Sequence, residues 1–305
     1  MKEKIIARYF FTPFCPESYA TEEKLRIFFE KISEIHFETF NCEEGNYFSK
    51  YNFFELEKKL IDTFYRKNDE PLLFGKLFIN GQLIPGFPPS SKHLKNILVD
   101  NKVNFDESKY IFDYSSKIEK ANIIFDKKNL IIKKVEEEEI KDVSKLCTLF
   151  HPYLNQKDYK KEYWGKFENR KNDFLRKSIL NKNALAFLAY FQNEPVGFIE
   201  AYSLEKSVKY GFPVHLEENV LLKDSFMIVC LSIRKEFEGN NIASRLLEKF
   251  ISFSSENKIK NLQVLSFPQN FNWHPENIYK KYGFKEVKVI NKLKLLSLNI
   301  MDFAL

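Results

Sequence analysis

The chain has 305 residues, long for one core and comfortable for two domains. With 44% hydrophobic and 30% charged residues it reads as globular rather than disordered, and no apolar run approaches the length that spans a bilayer. The net charge of +6 is uneven: residues 1–100 carry 14 Lys/Arg against 15 Asp/Glu and the remainder 34 against 27, without the basic block or aromatic-basic interleaving of a nucleic-acid surface.

The opening Met1-Lys2-Glu3-Lys4-Ile5-Ile6 is basic, but its apolar run is broken by Arg8 and soon meets Pro13. A signal peptide is therefore not expected, and a cytoplasmic location is. The four cysteines, Cys15, Cys42, Cys147 and Cys230, lie far apart with no C-x-x-C. That spacing excludes an ordinary zinc knuckle and does not suit a disulfide scaffold. Cys147 and Cys230 sit in apolar surroundings and read as packing residues.

Residues 1–105 form the first expected domain. Ile5 to Phe11 reads as a strand, followed by Thr12-Pro13-Phe14-Cys15-Pro16-Glu17-Ser18. A helix is expected near Tyr19 to Lys31, with Leu25, Phe28, Phe29 and Ile32 on its apolar side, then a strand from His36 to Asn41 that ends at Cys42. A Lys/Glu-rich helical segment covers 51–66. A hairpin follows, Lys76–Ile79 and Gln82–Ile84 about the turn Asn80-Gly81. Ser90 caps a last helix over 91–98. This order, with a cysteine between the first strand and its helix, resembles a thioredoxin-like fold. Cys15-Pro16-Glu17-Ser18 resembles the monothiol members, in which serine replaces the second cysteine. A thiol at a helix N-terminus has its thiolate favoured by the helix dipole. A right-handed β-α-β unit has parallel strands, so Cys15 and Cys42 both leave the sheet at its carboxyl edge. They suit a transient disulfide or a soft-metal clip; Cys42 as a merely buried small residue is the alternative. Pro71 is the one candidate for the fold's cis-proline, two residues farther from Asn80-Gly81 than the pattern wants.

Residues 106–126 read as a linker with one strand at 123–125, and the second domain as 127–305. It opens on a strand, Leu130-Ile131-Ile132-Lys133, and an acidic helix start at Glu136 to Glu139. A Lys/Arg-rich helix covers 159–180, and a hairpin joins Leu185–Phe191 to Val196–Tyr202 through the turn Asn193-Glu194. The long segment from Ser203 to Asp224, with Tyr210-Gly211-Phe212-Pro213 and His215, is either part of a substrate pocket or a surface excursion. The apolar run Ile228-Val229-Cys230-Leu231 suits a buried strand. It leads through Glu238-Gly239-Asn240-Asn241 into a helix with Ile242, Leu246, Phe250, Ala243, Leu247 and Ile251 on one face. A strand from Leu262 to Ser266, a polar loop to Asn272 and a short helix ending in Tyr279-Lys280-Lys281-Tyr282-Gly283-Phe284 complete the pattern.

A glycine turn between a buried strand and a helix start presents unpaired amides and a positive dipole end to an anion such as pyrophosphate. Joined to Asn272, seven residues before Tyr279, and to the Tyr-x-x-x-Gly-Phe ending, the stretch resembles the coenzyme and closing motifs of the GNAT acetyltransferases. The resemblance implies an α/β (α+β) domain with a central mixed sheet and acetyl-CoA as cofactor. It implies coenzyme contacts at Leu231, Ser232, Ile233, Glu238, Gly239, Asn240, Asn241, Ile242, Ala243, Asn272 and Tyr279. The family pattern Arg/Gln-x-x-Gly-x-Gly/Ala falls on Glu238 to Ala243, so an acid replaces the first residue and Asn241 the middle glycine. Asn tolerates left-handed backbone. Glu238 beside a pyrophosphate is repelled by on the order of 1 kcal/mol in high dielectric, which Arg234, Lys235 or Arg245 could offset.

The resemblance further implies transfer of an acetyl group to an amine of a small molecule or protein. A backbone amide of the strand Val229 to Ile233 would polarise the carbonyl and Tyr279 would protonate the sulfur, a buried hydrogen-bonded tyrosine being the alternative. The coenzyme strand offers no carboxylate base. Glu200, in Gly197-Phe198-Ile199-Glu200, is the first candidate and His215 the second. The competing function is a thiol redox or soft-metal-binding protein using Cys15 and Cys42, with the second domain as a scaffold.

Overall fold

The structure, a computed structural model, describes residues 4–43, 75–86, 88–103, 125–149, 161–211, 225–267, 274–290 and 293–302. The expected helix over 51–66, Pro71, most of the linker, Phe212, Pro213, His215 and Asn272 lie outside these residues. Two units divide the chain, Met1–Ser116 with Lys209–Val214, and Lys117–Val208 with His215–Leu305.

In the first unit, β-branched and aromatic residues make β1 (Ile5–Phe11), whose neighbour is β2 (Ile35–Asn41). β3 (Lys76–Ile79) and β4 (Gln82–Ile84) complete a sheet ordered β2-β1-β3-β4. β1 and β2 are parallel from Ile5↔Ile35 to Phe11↔Asn41, whereas β1/β3 and β3/β4 are antiparallel. Asn80 (φ 48°) and Gly81 (φ 79°) are both left-handed, as a two-residue turn compatible with strand twist demands. Asn80 also accepts the Ile6 amide on its Oδ1 at 2.9 Å, which ties the turn to the central strand. α1 (Pro16–Phe29) starts earlier than expected because Pro16 fits the first helical position, where no amide is needed. α2 (Ser91–Asp100) is capped by Ser90, whose Oγ accepts from the His93 amide. Ala7, Tyr9, Leu25, Phe29, Leu77, Ile84, Leu94 and Leu98 fill the core between sheet and helices.

The second unit is a mixed α/β structure around a seven-stranded sheet ordered β10-β11-β9-β8-β7-β6-β5. Its strands are β5 (Leu130–Lys134), β6 (Ala184–Phe191), β7 (Glu194–Ser203), β8 (Ser225–Ile233), β9 (Asn261–Ser266), β10 (Lys285–Ile290) and β11 (Leu293–Asn299). All neighbours are antiparallel except β8 and β9. The helices are α3 (Ile140–Leu149), α4 (Lys161–Leu180), α5 (Leu204–Lys209), α6 (Ile242–Glu256) and α7 (Glu276–Lys281). α6 buries the expected stripe of Ile242, Leu246, Leu247, Phe250 and Ile251 in one core with Ile199, Ala201 and Ile228. Glu200 lies between Ile199 and Ala201, so strand alternation sends it to the other face, where Lys171 of α4 meets it.

Three further expectations change. The β6/β7 turn is Gln192-Asn193, both left-handed, because Phe191 pairs with Glu194. Residues 204–209, expected as irregular, are α5. Phe125, expected in a strand, is not in one; it stacks on Phe191 with ring centroids 4.9 Å apart.

Candidate functional site

The site is built on a place where two parallel strands stop pairing. β8 and β9 are in register from Ser225↔Asn261 to Ile228↔Val264, yet β8 runs on to Ile233 and β9 to Ser266. A bulge accompanies the change. Glu200 of β7 opposes Cys230 and the next residue, Ala201, opposes Ile228, which leaves Val229 as the extra residue of β8. Beyond it the Arg234 amide donates to the Val196 carbonyl at 2.8 Å. In an antiparallel ladder hydrogen-bonding direction alternates, so the Ile233 and Leu231 amides point to the opposite edge, toward the gap. Ser232, expected with them, directs its backbone at β7 instead.

The start of α6 borders the same strand. Gly239 (φ 85°) and Asn241 (φ 60°, ψ 19°) are left-handed, so Asn241 does take the conformation that glycine would otherwise supply. Asn241 is the N-cap without a side-chain cap, and the first helical bond runs from the Arg245 amide to its carbonyl at 3.1 Å. The amides of Ile242, Ala243 and Ser244 therefore have no acceptor within the helix. A Cβ placed on Gly239 would meet nothing within 4 Å, so the turn is open on that side. Asn240 braces the turn by donating from Nδ2 to the Phe237 carbonyl at 3.1 Å. Glu238 is exposed. Arg234 does not neutralise it, because its Nε donates to Glu236 at 2.8 Å. The donor set suits a pyrophosphate, and Glu238 is the one residue of the turn whose charge works against it.

Tyr279 of α7 is completely buried, and burial pushes its phenol well above the usual tyrosine range. Its hydroxyl lies 2.5 Å from Nδ1 of His274, which is also buried, and His274 Nε2 lies 3.2 Å from the carbonyl of Val229, the bulge residue. Burial lowers the imidazole to about 4, so the ring is neutral at physiological pH. His274 itself is left-handed at φ 48°. Sequence reasoning had no signal for it: one histidine in a loop carries no periodicity.

Glu200, the expected base, is also fully buried and is engaged at both oxygens. Lys171 Nζ donates to Oε1 at 2.6 Å and to Oε2 at 2.9 Å, and the Tyr202 hydroxyl donates to Oε2 at 3.0 Å. Burial opposes the charged ammonium of Lys171 most strongly, but attraction to Glu200, the hydrogen bond to it and the influence of Cys147 and Cys230 together outweigh burial, and its pKa is raised overall. Lys171 was missed, although a signal existed. It lies four residues after Phe167 and four before Leu175, on the stripe that α4 buries.

In the first unit Cys15 is the half-buried N-cap of α1, and Cys42 is buried at the carboxyl end of β2, its amide donating to the Phe11 carbonyl at 2.8 Å. None of the four cysteines is in a disulfide. Ser18 does not face outward beside Cys15. It is buried and its Oγ accepts the Thr12 amide at 3.0 Å. Tyr210, expected either in a substrate pocket or on a surface excursion, is buried in this unit, where its hydroxyl donates to the Phe14 carbonyl at 3.0 Å. Among the described residues no group of three or more His, Cys, Asp or Glu is placed to hold a metal, and no helix is long and apolar enough to cross a membrane.

Residues 155–297 match a family model described as an acetyltransferase (GNAT) domain. No curated protein matches the chain. Solved structures to which it is similar include the PaiA N-acetyltransferase from Thermoplasma acidophilum in complex with coenzyme A, at 16% identity over 56% of this chain and 98% of that one with a TM-score of 0.38. Aminoglycoside 6'-acetyltransferase type Ii matches at 17% identity over 57% and 99% with a TM-score of 0.38. The ribosomal-protein-S5-alanine acetyltransferase from Vibrio fischeri matches at 12% identity over 59% and 98% with a TM-score of 0.41. Residues 155–297 are thus similar to the GNAT acetyltransferases, enzymes that use acetyl-CoA.

Proposed function

We propose that the chain transfers the acetyl group of acetyl-CoA to an amine of a small molecule or protein. The observation that carries this reading is the gap after Ile228 and Val264, with the Leu231 and Ile233 amides on one edge and the open first turn of α6 beside it. Acetyl-CoA supplies an activated acyl group. The chain's part is to hold it and to manage protons. The amides of Ile242, Ala243 and Ser244 take the pyrophosphate, and those of Leu231 and Ile233 take carbonyl oxygens in the gap, where fixed dipoles stabilise negative charge on oxygen. Tyr279 is the residue for proton transfer. Glu200 serves the fold, through Lys171 and Tyr202, rather than acting as the base, and Asn272 remains a proposed coenzyme contact.

The first unit we read as a thioredoxin-like accessory domain with a monothiol motif. Its parallel β1/β2 pair, antiparallel β3/β4 hairpin and a cysteine capping α1 support that reading. Calorimetric titration with coenzyme A, followed by acetyl transfer to a panel of primary amines, tests the main reading. Absence of coenzyme binding at moderate salt would sink it. In that event the thiol reading gains, and alkylation of Cys15 across pH should reveal a thiolate formed well below the range of a free cysteine.

A further inference from the structure

The geometry points to His274 as the positioning residue of Tyr279, holding the phenol's hydrogen so that Tyr279 offers its oxygen as a proton acceptor before it can act as a donor. This rests on the acetyltransferase reading above and adds to it the base that the coenzyme strand lacks.

A carbonyl can only accept a hydrogen bond, so the 3.2 Å contact to Val229 requires the hydrogen of His274 on Nε2. A neutral imidazole has one ring hydrogen, and burial keeps this ring neutral. Nδ1 is then a bare acceptor, and in the 2.5 Å contact the Tyr279 hydroxyl must donate. The chain Tyr279 Oη–H to His274 Nδ1, and His274 Nε2–H to Val229 O, is thereby set in direction. It also puts the phenol oxygen two hydrogen bonds from the residue at which β8 and β9 part.

A proton path follows from that direction. An amine N–H proton passes to Tyr279 Oη while the phenolic proton passes to His274 Nδ1, as the nitrogen–carbon bond forms. When the carbon–sulfur bond breaks, the Nδ1 proton returns to Oη and the Oη proton goes to sulfur. One proton leaves nitrogen, one arrives at sulfur, and Tyr279 and His274 end as they began, so no oxidant or further acid is consumed. A buried imidazole is a weak base, which makes it a transient store rather than a trap. Cys230 is the titratable side chain of β8 that acts electrostatically on Tyr279.

The test uses the full chain. Nitrogen NMR of protein labelled at histidine should show His274 as the neutral Nε2–H tautomer in the protein alone, with Nδ1 shifting on Tyr279→Phe. His274→Asn keeps a side-chain oxygen that can accept the phenol's hydrogen but cannot store a proton. Its coenzyme affinity should stay within twofold, while turnover falls by about 10²- to 10⁴-fold. The proton inventory in mixed light and heavy water should drop from two transferred protons to one. An Nδ1–H tautomer, or a His274→Asn enzyme that turns over within twofold of wild type, would overturn the relay while leaving the acetyltransferase reading intact. Wild-type protein that binds no coenzyme A would overturn both.

Discussion

Glu200 gives the sharpest separation between a catalytic and a structural carboxylate. Replacing it with glutamine keeps its volume and removes the charge that balances Lys171, and both side chains have no exposed surface. An ammonium stranded in the interior costs about 3–5 kcal/mol. In a unit of this size that lowers the melting temperature by roughly 2–4 °C per kcal/mol, hence about 6–20 °C. Urea unfolding of Glu200→Gln should shift its midpoint with little change in slope, and Lys171→Met should do the same by stranding the carboxylate. The combination Lys171→Met, Glu200→Leu and Tyr202→Phe removes both charges and the hydroxyl that donates to the carboxylate. It should recover most of the loss, because apolar replacements of buried ion pairs are often neutral or better. Acetyl transfer by the triple variant should then persist. A Glu200→Gln protein as stable as wild type but without turnover would refute the reasoning and return Glu200 to the role of base.

Other consequences are as direct. His274 has its pKa lowered by burial from 6.5 to about 4, so the unfolded chain binds more protons between those values; stability should be full above pH 6.5 and fall by on the order of 3 kcal/mol toward pH 4, a slope that His274→Asn flattens in acid unfolding curves. Glu238→Gln should tighten coenzyme A binding a few-fold at low ionic strength, with the gain shrinking as salt rises, because the repulsion it removes is between solvated charges. Asn241→Val should cost more stability than Asn241→Gly, since the position is left-handed and a β-branched side chain is the least tolerant of it; thermal melts of the two variants rank them. Iodoacetamide should alkylate the half-buried Cys15 well before the buried Cys42 in native protein, as mass spectrometry of peptides would show.

Local chemistry carried the sequence reading where local chemistry decides structure. Asn80-Gly81 is a turn because both residues accept positive φ, and Asn241 ends the Glu238 turn for the same reason. The stripe of α6 is visible because its apolar residues repeat at helical spacing. What was not legible depends on pairing at a distance. Lys171 and Glu200 meet across 29 residues, and His274 reaches Val229 across 45. Neither pairing leaves a period or a spacing in the chain, although the burial of Lys171 does, through its place on the stripe of Phe167 and Leu175. The strands β10 and β11 also went unread. β10 interleaves lysine with exposed Val287 and Val289, because it is an edge strand with no buried alternation to betray it.

The gap between β8 and β9 has a physical cause that ties these long-range contacts to the proposed activity. Parallel strands of this length would ordinarily pair to their ends, because each unpaired backbone group buried in a sheet is costly. Here Val229 is inserted against β7, which bends β8 and turns its carbonyl out of the ladder. His274 then satisfies that carbonyl from a side chain, so the local cost of ending the ladder is met without β9. Farther along, Leu231 and Ile233 keep amides that neither β7 nor β9 takes up. A groove lined by such amides is preorganised for the carbonyl oxygens of an extended ligand, because the donors were oriented when the sheet folded. The bulge, the histidine and the open amides are therefore one device, and the Tyr279 hydroxyl is fixed at its inner end because the same imidazole that caps Val229 also holds the phenol.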